Sequence, residues 1–259
     1  MVKPKKHLGQ HFLTDQQIAR DIVAALAKTE KPRQVLEVGP GTGVLTQYLL
    51  QREDVNLLVA EIDTESVVYL SQHFPQLEGR ILATDFLKED LQKHFPGEFA
   101  IIGNFPYNIS SQIFFKVLEY RQQVTEVVGM LQKEVADRIA APPGSKVYGI
   151  LSVLLQAYYQ IEYCFTVEAH VFNPPPKVRS GVIRLVRNNV QQLACDEKLF
   201  VKVVKQAFST RRKTLRNALK PFALPAEVQQ QAIFDKRAEQ LGVQDFIMLT
   251  NWVTENRAG

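Results

Sequence analysis

The residues Asn104-Phe105-Pro106-Tyr107 follow directly on the apolar run Phe99-Ala100-Ile101-Ile102-Gly103. A polar amide, a rigid turn and an aromatic ring therefore stand together at the tip of a short β-type run. In an open α/β sheet, that carboxyl edge of the strands is where ligands bind. An amide oxygen accepts a hydrogen from an exocyclic amine, and an aromatic ring stacks on a flat base. These are the parts that hold an adenine by its N6 amino group. The amine lone pair is delocalised into the ring, so its reaction depends on alignment with an electrophile and on stabilising the positive charge that develops. The Asn104 side-chain oxygen and the Phe105 main-chain carbonyl can accept its two hydrogens. Pro106 fixes the turn so that both converge, and Tyr107 stacks on one face of the base.

An electrophile needs its own site. Val35-Leu36-Glu37-Val38-Gly39-Pro40-Gly41-Thr42-Gly43 reads as a buried strand, a glycine-rich turn and the start of a helix. Glycines let the backbone approach a ligand closely, and a helix N-terminus presents free N–H groups. The spacing is Gly-x-Gly-x-Gly with a proline inside, not the dinucleotide form; alone it fits a nucleotide-like ligand or a tight β–α turn. The next strand-like run ends at Ala60-Glu61-Ile62-Asp63, about 20 residues on, where a carboxylate can accept both hydrogens of a ribose diol. The third ends at Thr84-Asp85-Phe86, where a carboxylate beside an aromatic suits the amino edge of a bound adenine. Either carboxylate alone also fits a helix cap. With the glycine turn, at three successive strand ends, they resemble the S-adenosylmethionine-binding half of class I methyltransferases.

Positioning these groups requires a sheet. Residues 34–39, 56–63, 80–85, 99–103 and 126–131 read as short apolar strands. Between them lie helical spacings such as Val44, Leu45, Tyr48, Leu49 and Ile113, Phe114, Val117, Leu118. The alternation predicts parallel strands joined by helical crossovers. Residues 147–160 predict a helix. Residues 161–171 and 178–187, separated by Asn173-Pro174-Pro175-Pro176, predict an antiparallel addition at the sheet edge. After Arg187, Phe200, Val204, Ala207, Phe208, Leu215 and Leu219 fit one apolar helical stripe. The expected organisation is α/β: a Rossmann-like methyltransferase domain over residues 1–187 and a small all-helical domain over residues 188–259.

Charge divides the same way. Residues 1–187 carry 20 Lys+Arg and 20 Asp+Glu, whereas residues 188–259 carry 11 and 7, so the whole +4 excess lies in the second part. From Lys198 to Ala226 no residue is acidic. Arg212, Arg216 and Lys220, at i, i+4 and i+8, predict one basic helical face for RNA phosphates. Cys164 and Cys195 have no paired spacing, so neither a disulfide framework nor a zinc site is expected. The basic start, Lys3 to Lys6, is followed by no apolar signal core, and the longest apolar stretch is too short for a bilayer. A cytoplasmic location, without membrane or metal, is expected.

Leu8-Gly9-Gln10-His11-Phe12-Leu13, the 104–107 tetrad, Phe172-Asn173-Pro174-Pro175-Pro176-Lys177-Val178-Arg179-Ser180 and Arg211-Arg212-Lys213-Thr214-Leu215-Arg216-Asn217 occur in that order. Over nearly the whole chain they resemble the ribosomal small-subunit RNA adenine dimethyltransferases. The family often has Asn where this chain has His11 and Leu where it has Phe105. The resemblance implies that Gln10, His11, Leu13, Gly39, Gly41, Glu61, Asp85 and Asn104 form the S-adenosylmethionine site, and that Phe172 supplies the second stacking face. It implies that Arg211, Arg212, Lys213, Arg216 and Lys220 bind RNA. The implied substrate is two adjacent adenosines near the 3′ end of 16S RNA, in a pre-ribosomal 30S particle, each dimethylated by a monomeric enzyme. A once-methylated amine has one hydrogen left to donate, which predicts looseness around Asn104 and Phe105. Competing readings are a large-subunit RNA adenine methyltransferase of the macrolide-resistance type, a DNA adenine methyltransferase, and a non-catalytic RNA-binding assembly factor.

Overall fold

Apolar runs without polar alternation become strands covered on both faces. The computed structural model describes residues 2–210 and 212–256. Nine strands occur among them: β1 (Phe12–Leu13), β2 (Arg33–Val38), β3 (Val55–Glu61), β4 (Ile81–Ala83), β5 (Phe99–Asn104), β6 (Val124–Gln132), β7 (Tyr159–Val167), β8 (Phe172–Asn173) and β9 (Ser180–Arg187). Seven form one sheet in the order β4-β3-β2-β5-β6-β9-β7. The pairings β3 with β4, β2 with β3, β2 with β5 and β5 with β6 are parallel, and β9 runs antiparallel to β6. This is a mostly parallel α/β sheet, as the alternation of strands and helices predicts. The chain winds outward from β2 to β4, then returns to the other side of β2 as β5. That reversal opens a crevice at the carboxyl ends of β2 and β5, where Gly39 and Asn104 stand.

The helices in chain order are α1 (Gln16–Ala25), α2 (Thr46–Leu49), α3 (Thr64–His73), α4 (Ser110–Glu119), α5 (Lys133–Ala140), α6 (Ile150–Gln156), α7 (Glu197–Ala207), α8 (Leu215–Ala218), α9 (Ala226–Gln229) and α10 (Val243–Glu255). Aspartates start three of them: Asp15 accepts from Gln17 and Ile18 N–H, Asp63 from Glu65 and Asp196 from Leu199. Ile22 and Val23 of α1, Val35 of β2, Val59 of β3 and Ile102 of β5 meet in the core.

The segment expected as one β-run over residues 161–171 is divided. β7 ends at Val167, a single 3-10 turn covers Ala169–Val171, and β8 pairs with β1 instead of joining the large sheet. Leu13 opposite Phe172 lets both apolar side chains enter the core, at 3% exposure each. This pairing ties the N-terminal strip to the segment preceding the prolines.

Two compact units are distinguishable: residues 2–137 with 160–187, and residues 138–159 with 188–256. Residues 138–159, expected within the first domain, group with the second unit because α6 packs against α7 and α10. Within that unit Phe200, Val204, Ala207, Phe246 and Leu249 are buried, and Phe208 stacks on Phe246 at 6.0 Å. The expected basic helix does not run through. α7 ends at Ala207, α8 is a separate turn, and Lys220 begins a 3-10 segment. Ser209 Oγ donates to the Gln206 carbonyl, and Pro221 lacks an N–H, so the chain leaves the helix at both places. Arg212, Arg216 and Lys220 therefore share no helical face. No helix among the described residues is long and apolar enough to cross a membrane.

Candidate active site

Residues from five segments of the first unit line an open cavity of about 170 Å³ at the β2/β5 crevice. The glycine turn forms its floor. Gly39 has φ 68 and its N–H donates to the Ala60 carbonyl at 2.9 Å, so the backbone crosses directly beneath the opening. Gly41, at φ 57, has its missing Cβ position only 2.8 Å from the Phe12 ring, so any side chain would push the N-terminal strip away.

Glu61 ends β3 on the cavity wall with 4% exposure. Its Oε2 accepts Gly41 N–H at 3.0 Å and its Oε1 accepts Asp63 N–H at 2.9 Å. Each oxygen keeps a lone pair for a further donor, as a diol requires. Burial pushes this carboxyl up, against those backbone donors. Asp85 also lines the cavity; its Oδ1 accepts Leu87 N–H at 3.0 Å, and its Oδ2 lies 3.5 Å from Lys88 Nζ. Of the two acidic tips at the end of β3, it is Asp63 that caps a helix.

Asp63 anchors the strip that covers the cavity. Its carboxylate pairs with Lys5, accepts Gln10 Nε2 at 3.4 Å and accepts Ser66 Oγ at 3.0 Å. Gln10 and His11 both line the cavity, whereas the Leu13 side chain lies in the core.

Asn104 ends β5. Its Nδ2 donates to the His11 main-chain carbonyl at 2.9 Å, which fixes the amide orientation and leaves Oδ1 for an incoming donor. Phe105 N–H extends the ladder to the Met130 carbonyl at 2.9 Å, and no described residue donates to the Phe105 carbonyl. The Phe105 ring is 1% exposed and lies across Gly103 and Gly129, which pair between β5 and β6. A Cβ on Gly129 would fall 2.4 Å from that ring. Two facing glycines thus make the room that the larger residue fills. These bonds of Asn104 Nδ2 and Phe105 N–H set where the two acceptors stand.

Tyr107 lines the cavity, hydrogen-bonds Ser180 through its hydroxyl and lies 5.2 Å from the His11 ring at a 31° tilt. Burial raises its phenol above the ordinary range. Phe172 is elsewhere: it is 3% exposed, packs with Leu13 in the core and is not among the residues lining the cavity. The aromatic before the prolines serves the strip pairing. Sequence reasoning passed over Ile62, which is 53% exposed on the cavity wall. An isoleucine directly after Glu61, outside the strand's buried run, was the available signal.

The residues suit the adenosyl group of S-adenosylmethionine: a buried carboxylate with spare lone pairs for the ribose, an apolar wall at Ile62 and Phe86, and the Asp85 carboxylate beyond. Among the described residues there is no cluster of three or more His, Cys, Asp or Glu side chains able to hold a metal.

In the second unit, Arg212 and Lys213 are exposed in the turn between α7 and α8. Arg216 is engaged internally, donating to the Gln229 carbonyl at 2.6 Å and to Asp235 at 2.6 Å. Lys220 is exposed, and Arg211 lies outside the described residues.

The sequence matches the model of a family described as ribosomal RNA adenine dimethylase over residues 1–255. It is 62% identical to a Cytophaga hutchinsonii protein named ribosomal RNA small subunit methyltransferase A, covering 98% of each chain. It is 56% identical to a protein of the same name from Bacteroides thetaiotaomicron, covering 98% of this chain and 96% of that one. A dimethyladenosine transferase from Plasmodium falciparum superposes with a TM-score of 0.80 at 25% identity, over 95% of this chain and 98% of that one. The 23S rRNA methyltransferase ErmE shares the fold, with a TM-score of 0.69 at 23% identity over 93% and 99% of the two chains.

Proposed function

The chain belongs to the ribosomal RNA adenine dimethylase family, and on that premise we propose that it dimethylates N6 of two adjacent adenosines near the 3′ end of small-subunit ribosomal RNA. The observation that carries this reading is the pair of unengaged acceptors at the tip of β5. Asn104 and Phe105 both line one cavity, with the Asn104 amide turned by its Nδ2 bond to His11.

Bound S-adenosylmethionine supplies a methyl group on a cationic sulfonium, which needs no metal and no strong base to depart. Glu61 would hold the ribose hydroxyls, Asp85 the amino edge of the cofactor adenine, and Ile62 one face of it. The Gly39 and Gly41 turn passes beneath without side chains. Gln10 and His11 close the cavity from the N-terminal strip.

The target adenine leaves its stack and lies against Tyr107. Its two N6 hydrogens are donated as hydrogen bonds to Asn104 Oδ1 and the Phe105 carbonyl, drawing the lone pair out of ring conjugation; as the bond from N6 to the methyl forms and the methyl–sulfur bond breaks, S-adenosylhomocysteine would leave and one N6 proton would pass to solvent. Stacking on one aromatic face contributes roughly 1–3 kcal/mol and offsets part of the unstacking. In the second transfer the amine retains one hydrogen, so only one of the two acceptors is used. The Phe172 ring, buried in the core, is not assigned to the base.

The second unit supplies phosphate contacts through Arg212, Lys213 and Lys220, and Arg211 by position in the motif. Arg216 is assigned to holding the unit together. The proposed setting is a pre-ribosomal small subunit in the cytoplasm, met by a monomer.

Replacement of Asn104 by Ala separates chemistry from binding. N104A should lose at least about 100-fold in kcat on unmethylated small subunits even at saturating S-adenosylmethionine, since one oriented acceptor is gone. A calorimetric titration establishes saturation and radiometric turnover reads the rate; wild-type kcat in N104A would remove the assignment.

A further inference from the structure

His11 stands where three pieces of the site meet. Its main-chain carbonyl accepts Asn104 Nδ2 at 2.9 Å, its Nδ1 lies 2.7 Å from the Pro174 carbonyl, and its ring faces Tyr107 at 5.2 Å. A carbonyl only accepts, so Nδ1 carries the proton and donates to Pro174. The next two residues, Phe12 and Leu13, pair with Asn173 and Phe172, so ring and strand seize the same turn from two sides. On the other side, Gly9 at φ 65 closes against Asn108, whose Nδ2 donates to the His7 carbonyl at 3.4 Å. The strip is therefore built into the base side of the cavity as well as over its cofactor side.

We infer that His11 is a positioning residue for methyl transfer, which locks the Asn104 acceptor, the Tyr107 ring and the Pro174 turn into one arrangement. The inference rests on the adenine reading above and deepens it. The carbonyl sets which end of the Asn104 amide faces the amine. The imidazole sets where that carbonyl stands, by bonding Pro174 and bracing Tyr107. A displacement of about 1 Å in such an acceptor lowers turnover by as much as about 100-fold while leaving ground-state ligand binding nearly intact. A residue acting only as a cofactor ligand behaves oppositely: its loss weakens S-adenosylmethionine binding and is overcome by saturation.

The test compares wild type, His11→Ala, His11→Phe and His11→Asn on unmethylated small ribosomal subunits. It measures kcat at saturating S-adenosylmethionine and RNA, and the S-adenosylmethionine Kd by calorimetry, which also reports that each variant is folded. H11A is expected to lose about tenfold or more in kcat at saturation, whatever the change in its S-adenosylmethionine Kd. H11F keeps a ring beside Tyr107 but has no donor for Pro174, and loses kcat to a smaller extent. H11N, whose amide can still donate to Pro174, recovers most of the loss. Wild-type kcat at saturation in both H11A and H11F, with or without a weakened Kd, overturns the inference. Absence of transfer by the wild type itself would instead refute the adenine reading.

Discussion

At Phe105 the main chain and the ring are placed for different tasks. The proposed role falls on its carbonyl, while its ring fills the space left by Gly103 and Gly129 and meets Phe114 edge-on at 5.8 Å. Glu37 is the residue-scale feature with a measurable pH signature. It is 1% exposed in β2, accepts Thr46 Oγ1 at 2.6 Å, and burial pushes its carboxyl up to about 8, with nearby Glu61 adding to the rise. An unfolded Glu titrates near 4.3, so between about pH 4.3 and pH 8 the folded state holds a proton that the unfolded state has released. Stability from this group is fully present below the unfolded value and is lost as pH rises through the window. Glu37→Gln cannot titrate, so its melting temperature relative to wild type should climb from about pH 5 to about pH 8. A difference independent of pH, read by calorimetry across that range, would contradict the burial argument.

At the scale of elements, the basic segment after α7 separates into two kinds of arginine and lysine. Arg216 is bonded to Gln229 and Asp235, whereas Lys213 stands exposed in the turn before α8. Lys213→Ala should leave the melting temperature unchanged and reduce the slope of log affinity for RNA against log salt by about one. Arg216→Ala should instead lower the melting temperature, since the part-buried Gln229 carbonyl loses its donor. A reduced salt slope with unchanged melting in R216A would reverse the assignment. The difference also marks what the sequence could convey. Apolar runs and turn chemistry placed the strands around the crevice, because burial on both faces leaves a composition that survives in one dimension. The tips of those strands were legible for the same reason: Gly39, Glu61, Asp85 and Asn104 each follow such a run. The continuation of α7 through residue 220 was misread because Ser209 and Pro221 act through backbone hydrogen bonds, which periodicity does not register. The pairing of β1 with β8 was invisible, since two-residue strands carry no period. Phe172 was consequently placed at the base and not in the core. The roles of Ile62 and His11 depend on where turns project them.

The whole molecule combines a methyltransferase sheet whose crevice fits an adenosyl cofactor with a second unit carrying the surplus positive charge. In the proposed function the tetrad at the tip of β5 presents two acceptors to an adenine amine in small-subunit RNA. The measurement that tests it most directly supplies labelled S-adenosylmethionine to unmethylated small subunits and, separately, to large subunits, and identifies the labelled nucleoside after complete digestion. The account predicts N6,N6-dimethyladenosine in small-subunit RNA, at two adjacent positions near its 3′ end. Label confined to large-subunit RNA, or appearing in small subunits at any atom other than adenine N6, would contradict it.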